Sequence, residues 1–167
     1  YQMMIASALK VDPGKIRVIC PDTGGGFGSR GHVGPEFVIL AWAAKRLGRA
    51  VKWTSSRTEA FMSDWQGRDM FMKGELGVTR DGSITAYKVE FLINNGAHTI
   101  CYAPSANASR SITTIYDIPV FSLDMGVYLT TTTPVLPYRA AGRPETHYVL
   151  ERLIDMAASK IKIDKIS

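Results

Sequence analysis

Two long extended stretches, residues 68–79 and 83–94, flank the tripeptide Arg80-Asp81-Gly82, and no other feature restricts the fold as much. Asp-Gly accepts the positive φ values that a tight hairpin turn imposes, and period-two alternation gives each flanking stretch one apolar face. The pair is predicted to lie antiparallel. A hairpin is marginal until its apolar face is covered, so the chain also needs helices. Pro144 starts one, with Val149, Leu153, Met156 and Ala157 along one face and Glu151, Arg152 and Asp155 on the others. Residues 119–131, rich in Thr and Val, read as a further strand, whereas 105–115 carry no decided pattern.

The N-terminal part reads as helix, turn, strand, glycine loop, helix and strand. Residues 2–10 look helical and stop at Asp12-Pro13-Gly14; Lys15 to Cys20 then alternate as a strand does. That strand runs into Thr23-Gly24-Gly25-Gly26-Phe27-Gly28-Ser29. Pro35 suits a first helical position, Phe37 to Leu47 is apolar on most faces, and Gly48 ends it, which predicts a buried helix. Val51-Lys52-Trp53-Thr54 completes a β-loop-α-β unit over about residues 15–54. With no repeat and no low-complexity linker, the fold class expected is α+β: a two-layer arrangement of a mixed β-sheet with packed helices, in one domain over 1–167. Tyr1-Gln2-Met3-Met4 opens in mid-pattern, so the chain is expected to begin inside a longer protein.

Composition excludes several function classes. With 46% apolar and 21% charged residues the chain is ordinary for a globular protein. Its formal charge of +5 comes from scattered Lys and Arg that form no basic arm, which argues against nucleic acid. Cys20 and Cys101 lie in unrelated contexts and signal neither a zinc site nor a disulfide framework. His32 and His147 supply no metal-ligand spacing either. The longest apolar run, Phe37 to Ala44, falls well short of the ~20 residues of a membrane span. A soluble, cytoplasmic protein is expected.

Consecutive glycines let the backbone approach a ligand and turn its amides inward, which suits anionic or oxo groups. A tight structural turn that binds nothing is the plainer reading. A phosphate loop of the Walker type needs Gly-Lys followed by Ser or Thr, and this loop continues Gly28-Ser29-Arg30. Gly26-Phe27-Gly28-Ser29-Arg30-Gly31 does match the dinucleotide pattern G-x-G-x-x-G. The ribose-binding acid expected at the end of the next strand is replaced by Thr54-Ser55-Ser56-Arg57. A non-catalytic dinucleotide-binding module using Gly26 to Gly31 remains the alternative reading.

Four stretches in order resemble one family. Ile16-Arg17-Val18-Ile19 leading into Gly24-Gly25-Gly26-Phe27-Gly28 is similar to the first cofactor loop of the molybdenum hydroxylases: xanthine dehydrogenases, aldehyde oxidases and large subunits of the aerobic carbon monoxide dehydrogenase type. Val51-Lys52-Trp53 through Ser56-Arg57-Thr58-Glu59-Ala60-Phe61 follows, then Arg80-Asp81-Gly82-Ser83-Ile84 through Asn95-Gly96-Ala97, then Tyr138-Arg139-Ala140-Ala141-Gly142-Arg143-Pro144-Glu145. The resemblance implies the first molybdopterin-binding domain of a larger subunit that oxidises an aldehyde or heteroaromatic carbon with water as oxygen source. It implies a molybdenum–pyranopterin cofactor, as molybdopterin or its cytosine dinucleotide form, with iron–sulfur and FAD groups on partner subunits or domains.

Residue by residue, the resemblance puts Gly25, Gly26, Phe27 and Gly28 on the first cofactor contact and Arg139 with Ala140 on the second. Backbone amides of both loops would face the oxo ligand, where preorganised donors are most effective. Phe27, Ala141 and Arg110 are the candidates for the substrate pocket. The family's copper-containing members carry a cysteine where this chain has Ala140, so no copper thiolate is expected. Gly31 and Ala141 stand where xanthine-type enzymes place a glutamate and a phenylalanine, which removes their purine contacts. The family's general base, a glutamate, would lie beyond Ser167, and a glutamine near the metal would precede Tyr1. Glu36, Glu59 and Glu145 are explained as first-turn helix residues favoured by the macrodipole, and none is nominated as the base. The implied partners are the remainder of the large subunit, iron–sulfur and flavin subunits and a small-molecule substrate; self-association of the isolated chain is also expected.

Overall fold

The computed structural model describes residues 1–164. The chain divides into two compact units, Tyr1–Asp64 and Trp65–Ser167.

In the first unit, helix α1 (Gln2–Leu9) ends at Lys10, whose φ of 52° turns the chain back, and buries Ile5 and Ala6. The Gln2 amide donates to the carbonyls of Pro13 and Ile16, both at 2.8 Å, which ties α1 to a short 3-10 turn at Pro13–Lys15. Helix α2 (Pro35–Leu47) starts on its proline, ends at Gly48 with φ 63°, and packs against α1. Helix α3 (Arg57–Ser63) is opened by a capping box: the Glu59 amide donates to the Ser56 hydroxyl at 3.2 Å, and the Ser56 amide donates to the Glu59 carboxylate at 2.7 Å.

Two sequence expectations fail in this unit. The β-loop-α-β unit over 15–54 does not form, because residues 16–20 and 51–54 belong to no strand. Alternation assigns a face, but a strand also needs a neighbour's N–H and C=O groups, and among the described residues neither segment has one. Val18, Ile19 and Trp53 are accordingly exposed. Helix α2, expected to be buried, has no buried residue, with Ile39 60% and Trp42 55% exposed. α1 and a few loop residues are too small to cover a helix that is apolar nearly all round.

The second unit carries the sheet. Strands β1 (Met70–Val78) and β2 (Ile84–Asn94) pair antiparallel, from Met70 opposite Ile93 to Val78 opposite Ile84, with a bulge at Gly77 and Val78. The turn between them is the one the sequence predicts. The Thr79 amide donates to Ser83 at 3.0 Å, the Gly82 amide to Thr79 at 3.1 Å, and Gly82 takes φ 94°. Helix α4 (Ala103–Arg110) then carries the chain over to strand β3 (Phe121–Tyr128), which pairs parallel to β2. The three-stranded sheet, ordered β1-β2-β3, is therefore mixed, as expected. Its β-α-β crossover is β2-α4-β3 rather than the segment the sequence pointed to.

Helix α5 (Arg143–Ile161) packs on β1 and against α4. Tyr87, Val89, Phe91 and Ile93, every second residue of β2, form the core with Leu150 of α5, Ala108 of α4, and Ile112 and Ile118. From Tyr87 to Ile93 one face of β2 is thus sealed beneath the helices. No helix among the described residues is long and apolar enough to cross a membrane.

Candidate cofactor-binding loops

The glycine loop of the first unit is exposed throughout residues 21–28. Gly25, Phe27 and Gly28 take φ of 108°, 48° and 99°, with Gly26 between them outside that region. Positive φ is open to glycine at no steric cost, so the path of this loop depends on its glycines. Among the described residues, the amides of Gly25, Gly26 and Gly28 donate to no protein acceptor. The carbonyls of Gly26 and Gly28 are used instead, accepting from Arg30 and Gly31 at 3.1 Å each. The following turn, Ser29–Gly31, is fixed by the Tyr1 hydroxyl, which donates to the Arg30 carbonyl, and by an Arg30–Asp64 ion pair. The loop is therefore anchored through carbonyls and its flank, while these three amides are left without a protein acceptor.

Sterics separate the glycines. A side chain at Gly25 would strike the Phe27 ring at 2.8 Å, so Phe27 folds over Gly25 while remaining 55% exposed. At Gly26 an added Cβ would meet only Arg30 Cβ, at an ordinary 3.5 Å. The fold itself does not require glycine there, and the open space is available to a ligand.

The second loop, Tyr138 to Gly142, lies in the second unit between buried Leu136 and α5. Gln66 runs beside it: the Leu136 amide donates to the Gln66 carbonyl at 2.9 Å, and Gln66 bridges Val135. The Ala141 amide donates to Tyr138 at 3.0 Å and that of Arg143 to Ala140 at 3.2 Å, so the loop is two successive tight turns. Ala140 has φ 69° and Gly142 φ 87°. A Cβ at Gly142 would lie 2.1 Å from the Pro104 carbonyl oxygen and 2.7 Å from the Ala108 amide nitrogen, so only glycine lets this turn rest on α4. Arg139 and Ala140 are exposed and Ala141 is buried. Among the described residues, the Arg139 and Ala140 amides, like those of the glycine loop, donate to no acceptor. Arg110 is exposed in the last turn of α4, the helix under Gly142.

Other flagged residues have local roles. Glu36 lies in the first turn of α2, and His147 Nδ1 is 2.7 Å from the Arg143 carbonyl. Glu59 is held below the usual carboxylate range by the Ser56 backbone and side-chain hydrogen bonds of its capping box. Cys20 and Cys101 are both free, and no cluster of metal-ligating side chains occurs among the described residues. Glu145 is in the first turn of α5, as expected, and is buried there, with Arg68 Nε 3.6 Å from its Oε1. Arg68 also donates through Nη2 to the Arg139 carbonyl. Sequence reasoning missed Arg68, since nothing local tells which cation a distant carboxylate will meet.

The frame that the dinucleotide reading requires is missing: residues 16–20 pair with no strand, a 3-10 turn follows the loop, and α2 starts only at Pro35. The comparisons point elsewhere. The family described as molybdopterin cofactor-binding domain matches residues 1–167. Gamma subunit of the 6-hydroxypseudooxynicotine dehydrogenase complex from Paenarthrobacter nicotinovorans is 34% identical, over 97% of this chain and 21% of its own length. The carbon monoxide dehydrogenase large chain of Hydrogenophaga pseudoflava is 35% identical, over 90% of this chain and 19% of its own. Among solved structures, quinoline 2-oxidoreductase from Pseudomonas putida 86 superposes with a TM-score of 0.93 at 27% identity, covering 98% of this chain and 21% of that one. The chain thus spans about a fifth of the relatives it matches. An open glycine loop, an arginine loop seated on α4 and a match along the whole sequence agree: this chain belongs to the molybdopterin cofactor-binding domain family.

Proposed function

We propose that this chain serves as the cofactor-holding part of the large subunit of a molybdenum hydroxylase, and that the complete enzyme oxidises a heteroaromatic or aldehyde carbon with oxygen taken from water. The observation that carries the reading is the pair of exposed loops whose amides at Gly25, Gly26, Gly28, Arg139 and Ala140 are left to an outside acceptor. The residues fit a group bearing oxo and anionic oxygens: they are small, their donors are preorganised, and the space over Gly26 is open. When bound, the molybdenum–pyranopterin group, as molybdopterin or its cytosine dinucleotide form, supplies the two-electron redox chemistry. Gly25, Gly26, Phe27 and Gly28 would hold it from one loop, Arg139 and Ala140 from the other.

On the substrate side we assign Phe27, whose exposed ring offers an apolar wall, Ala141 as a small residue of the other loop, and Arg110 as a candidate for an anionic substituent. The names of two relatives, nicotine 6-hydroxylase large subunit and quinoline 2-oxidoreductase, favour a nitrogen heterocycle over an aldehyde. Ala140 offers no thiolate, so no copper is assigned beside the molybdenum. Electrons would leave through iron–sulfur and FAD groups on partner subunits of a cytoplasmic complex. The chain's own residues bind and orient, while proton transfer belongs to the remainder of the large subunit.

Gly26→Val in the full-length enzyme tests this. Because the fold has room for a Cβ at that position, folding should survive, while molybdenum content or turnover should fall at least about tenfold by steric exclusion. Unchanged metal content and turnover would remove the assignment.

A further inference from the structure

Arg68 makes three contacts with the 138–145 segment. Its Nη2 donates to the Arg139 carbonyl, its guanidinium carbon lies 5.0 Å above the centre of the Tyr138 ring, and its Nε stands 3.6 Å from Glu145 Oε1. Glu145 is 8% exposed, and among the described residues its carboxylate oxygens have no hydrogen bond, so the arginine is the charge that compensates it. Arg68 itself is held in place. It takes φ 57°, an uncommon conformation for a residue with a side chain, and its neighbour Gly67 passes so close to the loop that a Cβ there would meet Tyr138 Cβ at 2.9 Å. The strip from Gln66 to Arg68 is therefore a rail along which the arginine loop lies.

The carbonyl contact has a geometric consequence. No cis peptide bond occurs among the described residues, and in a trans peptide the C=O of one residue and the N–H of the next point in opposite directions. Drawing the Arg139 carbonyl towards Arg68 aims the Ala140 N–H away from it. That amide is one of the exposed donors assigned to the cofactor above. A rotation of this one peptide plane would swap a donor for an acceptor at the same place, and a carbonyl facing an oxo group repels it.

We propose that Arg68 is a positioning residue of the molybdenum site: it fixes the Arg139–Ala140 peptide so that its N–H faces the cofactor, with buried Glu145 and the Tyr138 ring holding the guanidinium in register. The proposal rests on the cofactor reading, and the two can fail separately. In the full-length enzyme with its partner subunits, Arg68→Gln should lower kcat about 10- to 100-fold with little change in KM, because a misaimed donor weakens stabilisation rather than substrate binding. Arg68→Lys, which keeps the charge but not the planar fork, should recover turnover only in part.

The decisive measurement is independent of turnover. Amide hydrogen exchange over residues 137–143, in enzyme freed of cofactor, should quicken about tenfold or more in the variant. Should Arg68→Gln fail to accumulate because Glu145 is left as a lone buried charge, Arg68→Gln with Glu145→Gln replaces it and must show the same acceleration. Unaltered exchange in the double variant overturns the proposal. Gly26→Val bears on the cofactor reading alone: if it keeps its metal while the Arg68 variants quicken exchange, the loop is positioned by Arg68 but serves something other than molybdenum.

Discussion

Tyr87 is 1% exposed, and its hydroxyl has no hydrogen-bond partner among the described residues. Burial pushes its phenol up to about 12 from an ordinary 10. The raised value means that this group's contribution is intact below pH 10 and is lost as pH climbs from 10 towards 12, where an unfolded chain would already have ionised. Tyr87→Phe should remove that alkaline loss and, by deleting an unsatisfied buried hydroxyl, leave neutral-pH stability equal or raise it by about 1 kcal/mol. Thermal unfolding at pH 8 and pH 11 measures both. Glu59 behaves in the opposite sense: its lowered carboxyl keeps the capping box through mild acid, and the cap fails only as pH drops through that depressed value. Carbon-detected titration of Glu59 should give a midpoint below that of an exposed glutamate. At this scale sequence reading picked out two segments that do form loops, at Gly25–Gly28 and Arg139–Gly142, because glycine and arginine motifs are local. It could not see Arg68 with Glu145, or the hydroxyl of Tyr87, since burial and ion pairing depend on residues far apart in the chain.

Elements were legible where two signals coincided. The β1–β2 hairpin had alternation and Asp81-Gly82; α5 had Pro144 and an apolar stripe, and both formed. α4 had neither. Its Ala-Pro-Ser-Ala-Asn-Ala-Ser-Arg is short, small and polar, and is kept helical by packing, with Ala108 at 0% exposure. Residues 16–20 and 51–54 had the alternation without a neighbour to pair with, and so were read as strands that are not there. α3 provides a direct check on local capping: Ser56→Ala should destabilise that helix by about 1 kcal/mol, seen as faster amide exchange over residues 57–63. The sheet should answer to its centre. Phe91, fully buried on β2, should cost about 3–5 kcal/mol on replacement by Ala, measured as a lowered unfolding midpoint.

For the molecule as a whole, the sequence conveyed the mixed sheet and the family, but it gave no sign that the chain divides after Asp64. Composition averages over that division, and the apolar run of α2 looked like core because nothing in it says what lies alongside. With Phe37, Ile39, Trp42 and Leu47 all exposed, the chain produced alone should self-associate as concentration rises. Sedimentation velocity should show this, and Ile39→Lys with Trp42→Lys should reduce it.

The arginine loop's seat on α4 bears on how such an enzyme can change. Beneath Gly142 the nearest atoms are the main-chain oxygen of Pro104 and nitrogen of Ala108, which every amino acid possesses. No compensating substitution underneath can make room for a larger residue at position 142, so its identity is frozen for as long as α4 stays where it is. Exposed Arg110, on the same helix, carries no such restriction. A lineage or a laboratory selection seeking a new substrate should therefore vary position 110 freely and leave 142 untouched.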